Sequence, residues 1–158
     1  IEKELKISDM LMLAILLIGE KNNHEYFLHK YRVSKKISDG LILLGNQFKV
    51  RKREKEYFKK NLKKNLYHCG LKNMKILYCL DLLDKKKITN NDILFFRDLE
   101  KIRIPKFPYD GSILLKKGFK EGKNIGKILA EAEKIWINND FNLSMKNFEN
   151  IIKDYQNN

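Results

Sequence analysis

Three histidines, two cysteines and two neighbouring aspartates are the residue types in this chain best suited to catalysis or metal binding. His24, His29 and His68 would act as general bases or metal ligands only beside a second converging group. No serine or cysteine stands near them in a nucleophile signature. His68, Cys69 and Cys79 offer zinc-ligand types, but no C-x-x-C or H-x-x-x-H spacing accompanies them. Asp81 and Asp84 fall on one helical face, where a cleft would let a carboxylate pair do acid/base work. The lysines 85–87 beside them read instead as a solvated helix edge. Phosphate-loop and dinucleotide fingerprints are absent. No catalytic residue, metal ligand or cofactor is assigned to this chain.

Binding chemistry is better represented. Residues 49–64, KVRKREKEYFKKNLKK, place nine basic side chains against Glu54 and Glu56. On an expected helix over 52–69 with the apolar stripe Phe58, Leu62 and Leu66, those bases occupy the other faces. Neutralising several phosphates releases counterions and drives nucleic-acid binding, so Arg51, Lys52, Arg53 and Lys59 are candidate contacts. A solvated lysine face is the plainer alternative.

A second cluster is Lys116, Lys117, Lys120, Lys123 and Lys127 around the glycines of GFKEGKNIGKIL. Gly118 is placed to stop a short helix, Gly122 to close the turn, and Gly126 to open the next helix closely to another backbone. The free N–H groups at that helix start suit a phosphate. A second protein helix against Gly126 is the other reading, and both stay open.

Composition agrees with an anionic partner. The chain has 158 residues, a formal net charge of +13 and 43% hydrophobic residues, enough for a core. Nucleic acid is favoured over a membrane surface, although a lysine-coated surface for solubility would look the same. Two cysteines make no disulfide framework, which points to a reducing compartment, the cytoplasm or an organelle matrix. The longest apolar run, residues 10–18, falls well short of the roughly 20 that a membrane span needs. Opening on Ile1, the chain reads as a piece of something longer.

These residues must be carried by helices, because strict alternation is nearly absent and apolar positions recur at helical spacing. Helices are expected over 1–19, over a short aromatic segment from His24, from Ser34 to Leu44, over 52–69 with Gly70 as a stop, and through Met74, Leu77, Leu80 and Leu83. Thr89 and Asp92 form a capping-box pattern for a helix through Ile102, ended by Pro105. Asp110 caps a short helix. A longer one buries Ile125, Ile128, Leu129, Ala132, Ile135 and Trp136, and Ser144 caps a last one with Phe148, Ile151, Ile152 and Tyr155 inward. The expected fold is all-α, about eight helices in an elongated bundle array without a sheet. The expected regions are 1–85 and 86–158, joined at the polar stretch 84–92.

Residues 106–144 resemble the C-terminal region of bacterial-type tRNA nucleotidyltransferases, the CCA-adding enzymes related to poly(A) polymerases. Pro108, Gly111, Gly118, Gly122, Ile125, Gly126, Leu129, Trp136, Ile137, Asp140 and Phe141 follow that family's pattern in order. The stretch YRVSKKISDGLILL is similar, more loosely, to the family's helical body. The resemblance implies a neck-end, body and tail region that holds the acceptor arm and elbow of tRNA. It implies that magnesium, CTP and ATP belong to a head and neck that this chain lacks, supplied by a separate chain or a flanking segment. The head's G-S and D-x-D carboxylates have no counterpart here. The neck's E-D-x-x-R is matched only in part by Glu100 and Arg103, in the wrong region. Ile113 stands where many relatives carry an acid, and the phosphohydrolase His-Asp pair is missing. The chain is expected to bind tRNA without adding nucleotides, with Lys116, Lys117, Lys120, Lys123 and Lys127 as first-choice contacts and Arg51, Lys52, Arg53 and Lys59 as second. A basic helical protein-interaction module without RNA function is the alternative.

Overall fold

The computed structural model describes residues 8–18, 23–120 and 122–156, with Lys123 described by its backbone alone. Among them stand eight α-helices and one 3₁₀ turn, with no strand, so the chain is all-α as its periodicity requires. It divides into two compact units, Ile1–Ile104 and Pro105–Asn158. Residues 102–110 are non-helical, because Pro105 and Pro108 each lack an N–H and push the residue before them out of the α region. The stretch 84–92, expected as the joint, is a turn running into the start of a helix inside the first unit. There the Tyr78 hydroxyl and the Lys85 ammonium both donate to Asp92.

In the first unit, α1 (Asp9–Ile18) buries Leu11, Ala14 and Ile18, one helical face. Residues 1–7 and Gly19 of the expected first helix lie outside the described residues. The short α2 (His24–Lys30) buries His24. Ser34 caps α3 (Lys35–Arg53) by accepting the Ile37 N–H. This helix runs past its expected end at Leu44, because Phe48 continues the buried stripe of Leu41 and Leu44. Each such large apolar side chain contributes about 1.5–3 kcal/mol by leaving water. Gly45 sits mid-helix because α2 needs the space: a Cβ there would lie 2.2 Å from the His24 Nε2.

The helix expected over 52–69 is not one element. It is the end of α3, a turn over 54–61 and the start of α4 (Leu62–Leu83). Tyr57, 1% exposed, makes the break. Its hydroxyl donates to Gln47 Oε1 at 2.7 Å, and its carbonyl accepts from Asn65 Nδ2 at 2.9 Å. Within α4 the backbone is interrupted at Gly70, the expected stop, with φ 75° and ψ 159°. The capping box then starts α5 (Asn90–Asp98), which tightens into a 3₁₀ turn at Leu99–Lys101 and ends before Ile102.

In the second unit, Asp110 caps α6 (Gly111–Lys116), its Oδ1 accepting from the Ser112 N–H and hydroxyl. Following it are α7 (Lys123–Asn138) and α8 (Met145–Gln156). Ile128, Ala132 and Trp136 are buried as the spacing predicts, whereas Ile135 is 39% exposed and Ile137 lies inside. Tyr109 stacks on Phe148 with ring centroids 4.1 Å apart and donates its hydroxyl to the Leu143 carbonyl at 2.6 Å. At the end of α7, Asp140 and Phe141 both have positive φ, 49° and 63°. The Phe141 N–H donates to the Trp136 carbonyl at 2.8 Å and its ring meets the indole edge-on, a Schellman ending with an aspartate where glycine is usual.

Candidate nucleic-acid interface

Positive charge is concentrated in the first unit. Residues 1–104 carry 24 Lys and Arg against 13 Asp and Glu, while residues 105–158 carry 9 against 7. Several of the first unit's cations are committed to protein partners. Lys49 pairs with Glu25 at 2.9 Å. Arg51 forks between Asp81 and Asp84, so this candidate RNA contact instead ties α3 to α4. Lys52, Arg53, Lys55 and Lys59 are exposed and make no ion pair among the described residues. The Lys52 ammonium lies 4.7 Å from the Phe48 ring centroid.

Around the turn over 54–61 lies a cleft of about 530 Å³. Lys52, Lys55 and Lys59 line its solvent-exposed part together with Glu54. Phe58, Tyr78 and Phe95 supply aromatic wall, with centroids 4.7–6.2 Å apart. Of the sequence-predicted contacts, Arg51, Lys52 and Lys59 meet here, while Arg53 does not line the cleft. Lys85, Asn91, Asp92 and Phe95 escape the sequence reading. Asn91, Asp92 and Phe95 sit on α5 and Lys85 in the turn after α4, and only the fold brings them beside residues 51–59.

Asp92 is saturated. Its Oδ1 accepts from Tyr78 at 3.0 Å and Lys85 at 2.5 Å, and its Oδ2 from the Thr89 N–H at 2.8 Å and hydroxyl at 2.7 Å. The Lys85 ammonium, then the Thr89 donors, hold its carboxyl well below the usual carboxylate range. Such a group is a fixed anion, not a proton acceptor. Asp81 and Asp84, the other carboxylate pair, are taken up by Arg51. Burial pushes the Cys69 and Cys79 thiols up to about 11, leaving them unreactive at neutral pH. No three His, Cys, Asp or Glu side chains gather in a metal-holding group among the described residues.

The glycine turn of the second unit is built by capping. Gly118, at φ 89°, follows the last residues of α6; its N–H donates to Leu115 and the Phe119 N–H to Leu114, a complete Schellman pair. Gly122, at φ 141° and ψ −161°, precedes α7 in a region essentially closed to side-chain-bearing residues. Lys117 is paired with Glu149 at 2.9 Å, which leaves Lys116, Lys120 and Lys127 as exposed cations. The Lys123 side chain lies outside the described residues. Nothing among the described residues comes within 4 Å of where a Gly126 Cβ would stand, so no described helix closes on it.

No helix among the described residues is long and apolar enough to cross a membrane. No family model, no curated protein and no solved structure matches this chain.

Proposed function

We propose that this chain is an RNA-holding helical module that grips the backbone phosphates of a folded RNA and performs no bond-making chemistry itself. The observation that carries this reading is the concentration of unpaired lysines and arginine on the turn over 54–61 and the adjoining end of α3, in a unit with 24 basic against 13 acidic residues. Lys52, Arg53, Lys55 and Lys59 are the principal contacts. Lys116, Lys120 and Lys127 form a secondary patch in a nearly charge-balanced unit. Transfer RNA is the substrate class to test first, because residues 106–144 resemble the tail of CCA-adding nucleotidyltransferases. Shape and phosphate recognition suits such a substrate, since it reads fold rather than sequence.

Binding of labelled tRNA followed by fluorescence anisotropy across a salt series tests this. A surface contacting about four phosphates loses roughly a hundred-fold in affinity between ~50 and ~200 mM salt. Replacing Lys52, Lys55 and Lys59 by glutamine flattens that slope. Affinity that ignores salt, or no affinity for tRNA, overturns the reading. With tRNA, CTP, ATP and magnesium the purified chain gives no 3′ extension; extension would end the non-catalytic part of the proposal. A protein-docking module is the second reading, favoured by Leu16 and Met12, 71% and 48% exposed on α1. An apolar interface of that kind barely responds to salt.

A further inference from the structure

The cleft beside the basic turn has a composition that phosphate gripping alone does not need. Backbone contacts require exposed cations, and Lys52, Lys55 and Lys59 supply them. They do not require a cavity of about 530 Å³, a size within the roughly 300–1,000 Å³ of small-molecule sites. Nor do they require Phe58 and Phe95, both only half-buried, to line it beside Tyr78. An apolar core would have closed over these rings; here they keep part of their surface open to the cleft.

The polar groups divide into committed and uncommitted. Asp92 has its four acceptor positions filled, Asp81 is held by Arg51, and Lys85 is held by Asp92. Glu54 accepts weakly from Asn61 Nδ2 at 3.4 Å. The side chains left for a ligand are the three lysines and Asn91, an exposed amide with no hydrogen-bond partner among the described residues. An amide offers a donor and an acceptor side by side, the arrangement that pairs with a base edge. Aromatic surface binds a flat ring, ammonium groups bind a phosphate, and the amide reads the ring's edge.

We propose that this cleft seats one nucleotide unit, its base against Phe58 and Phe95, its edge facing Asn91 and its phosphate at Lys55 and Lys59. Two sources share that chemistry: a free mononucleotide, or an unpaired nucleotide of an RNA held by the surrounding lysines. The second source rests on the RNA-holding reading above; the first does not.

Titration of the full chain by calorimetry tests it, with AMP, CMP, GMP and UMP, with ribose 5-phosphate, with a short unpaired RNA and with a blunt RNA duplex. At least one mononucleotide binds saturably, about ten-fold tighter than ribose 5-phosphate, the discrimination that stacking one base supplies. Lys55→Gln with Lys59→Gln weakens mononucleotide and ribose 5-phosphate alike. Asn91→Ala, an exposed change outside the core, alters the ranking of the four bases without changing ribose 5-phosphate. Phe95→Leu, which keeps apolar volume, lowers the base-dependent part; folding of each variant is checked by circular dichroism.

Unpaired RNA binding far tighter than any mononucleotide, with the mononucleotide competing, identifies the RNA-borne source. Equal affinities identify the free nucleotide. Equal binding of mononucleotides and ribose 5-phosphate, no mononucleotide binding, or indifference to all these substitutions overturns the proposal. Duplex binding without any mononucleotide binding overturns it while leaving the phosphate grip standing. Mononucleotide binding without RNA binding does the reverse.

Discussion

The two units solve the same problem, enclosing an apolar core with helices, and differ in what they leave outside. The first presents unpaired cations around an open aromatic cleft. The second is close to charge balance and closes its aromatic residues on one another, Tyr109 on Phe148 and Trp136 between Phe107 and Phe141. A net charge of +13 for the whole chain hides this. The glycine-and-lysine stretch whose helix start suits a phosphate is largely accounted for by helix capping, and the less regular run over 49–64 has the cavity. Motif regularity and the cleft lie in different units.

The lone tryptophan, Trp136, is buried in the second unit, so its emission reports that unit while far-ultraviolet dichroism reports both. The largest expected effect is Tyr57→Ala. Losing a fully buried aromatic ring costs about 3–5 kcal/mol. The dichroism midpoint in denaturant falls sharply, the Trp136 midpoint moves little, and tRNA affinity drops with the turn. Equal shifts of both midpoints would show the two units unfolding as one and break the comparison.

Gly45→Ala comes next. Its methyl would occupy the place of the His24 imidazole, so α2 must shift, an overpacking cost of about 1–3 kcal/mol again confined to dichroism. Smaller, and in the opposite unit, are Gly118→Ala and Asp140→Gly. The first forces a side chain into left-handed backbone and the second removes one from it. Each changes stability by about 1 kcal/mol, with opposite sign, and both are read by Trp136 emission.

The mildest test is pH. Burial, only partly opposed by Glu25, lowers the His24 pKa below its unfolded value. Unfolded chains therefore bind the proton more readily, and the stability that neutral His24 contributes is present above about pH 6.5 and lost as pH falls. The second unit has no histidine, so mild acid lowers the dichroism midpoint and leaves the Trp136 midpoint in place. His24→Gln removes the difference.

What the sequence discloses is local. Ser34, Thr89 with Asp92, Asp110 and Ser144 cap as their types dictate, because a cap needs only residues two or three positions on. Gly70 and Gly118 mark breaks for the same reason. The turn over 54–61 contains neither glycine nor proline, and what breaks the helix there is the burial of Tyr57 against Gln47, a tertiary fact. The capping box announces a new helix at Asn90 but not whether that helix packs with the ones before it, and the boundary expected at residue 86 falls inside the first compact unit. Of the site, the cations were legible as a run. The carboxylates that neutralise some of them, and the amide and rings beside the rest, become neighbours only through the fold.

The fork of Arg51 between Asp81 and Asp84 has a consequence for conservative exchange. Lys55 and Lys59 act as point charges in water, and either can drift to arginine with little effect. Arg51→Lys keeps the count of positive charges unchanged, yet a single ammonium cannot span two carboxylates as a planar guanidinium does. Exchanging a surface lysine for arginine therefore keeps the charge that meets a phosphate, whereas the same exchange in reverse at position 51 loosens α3 from α4.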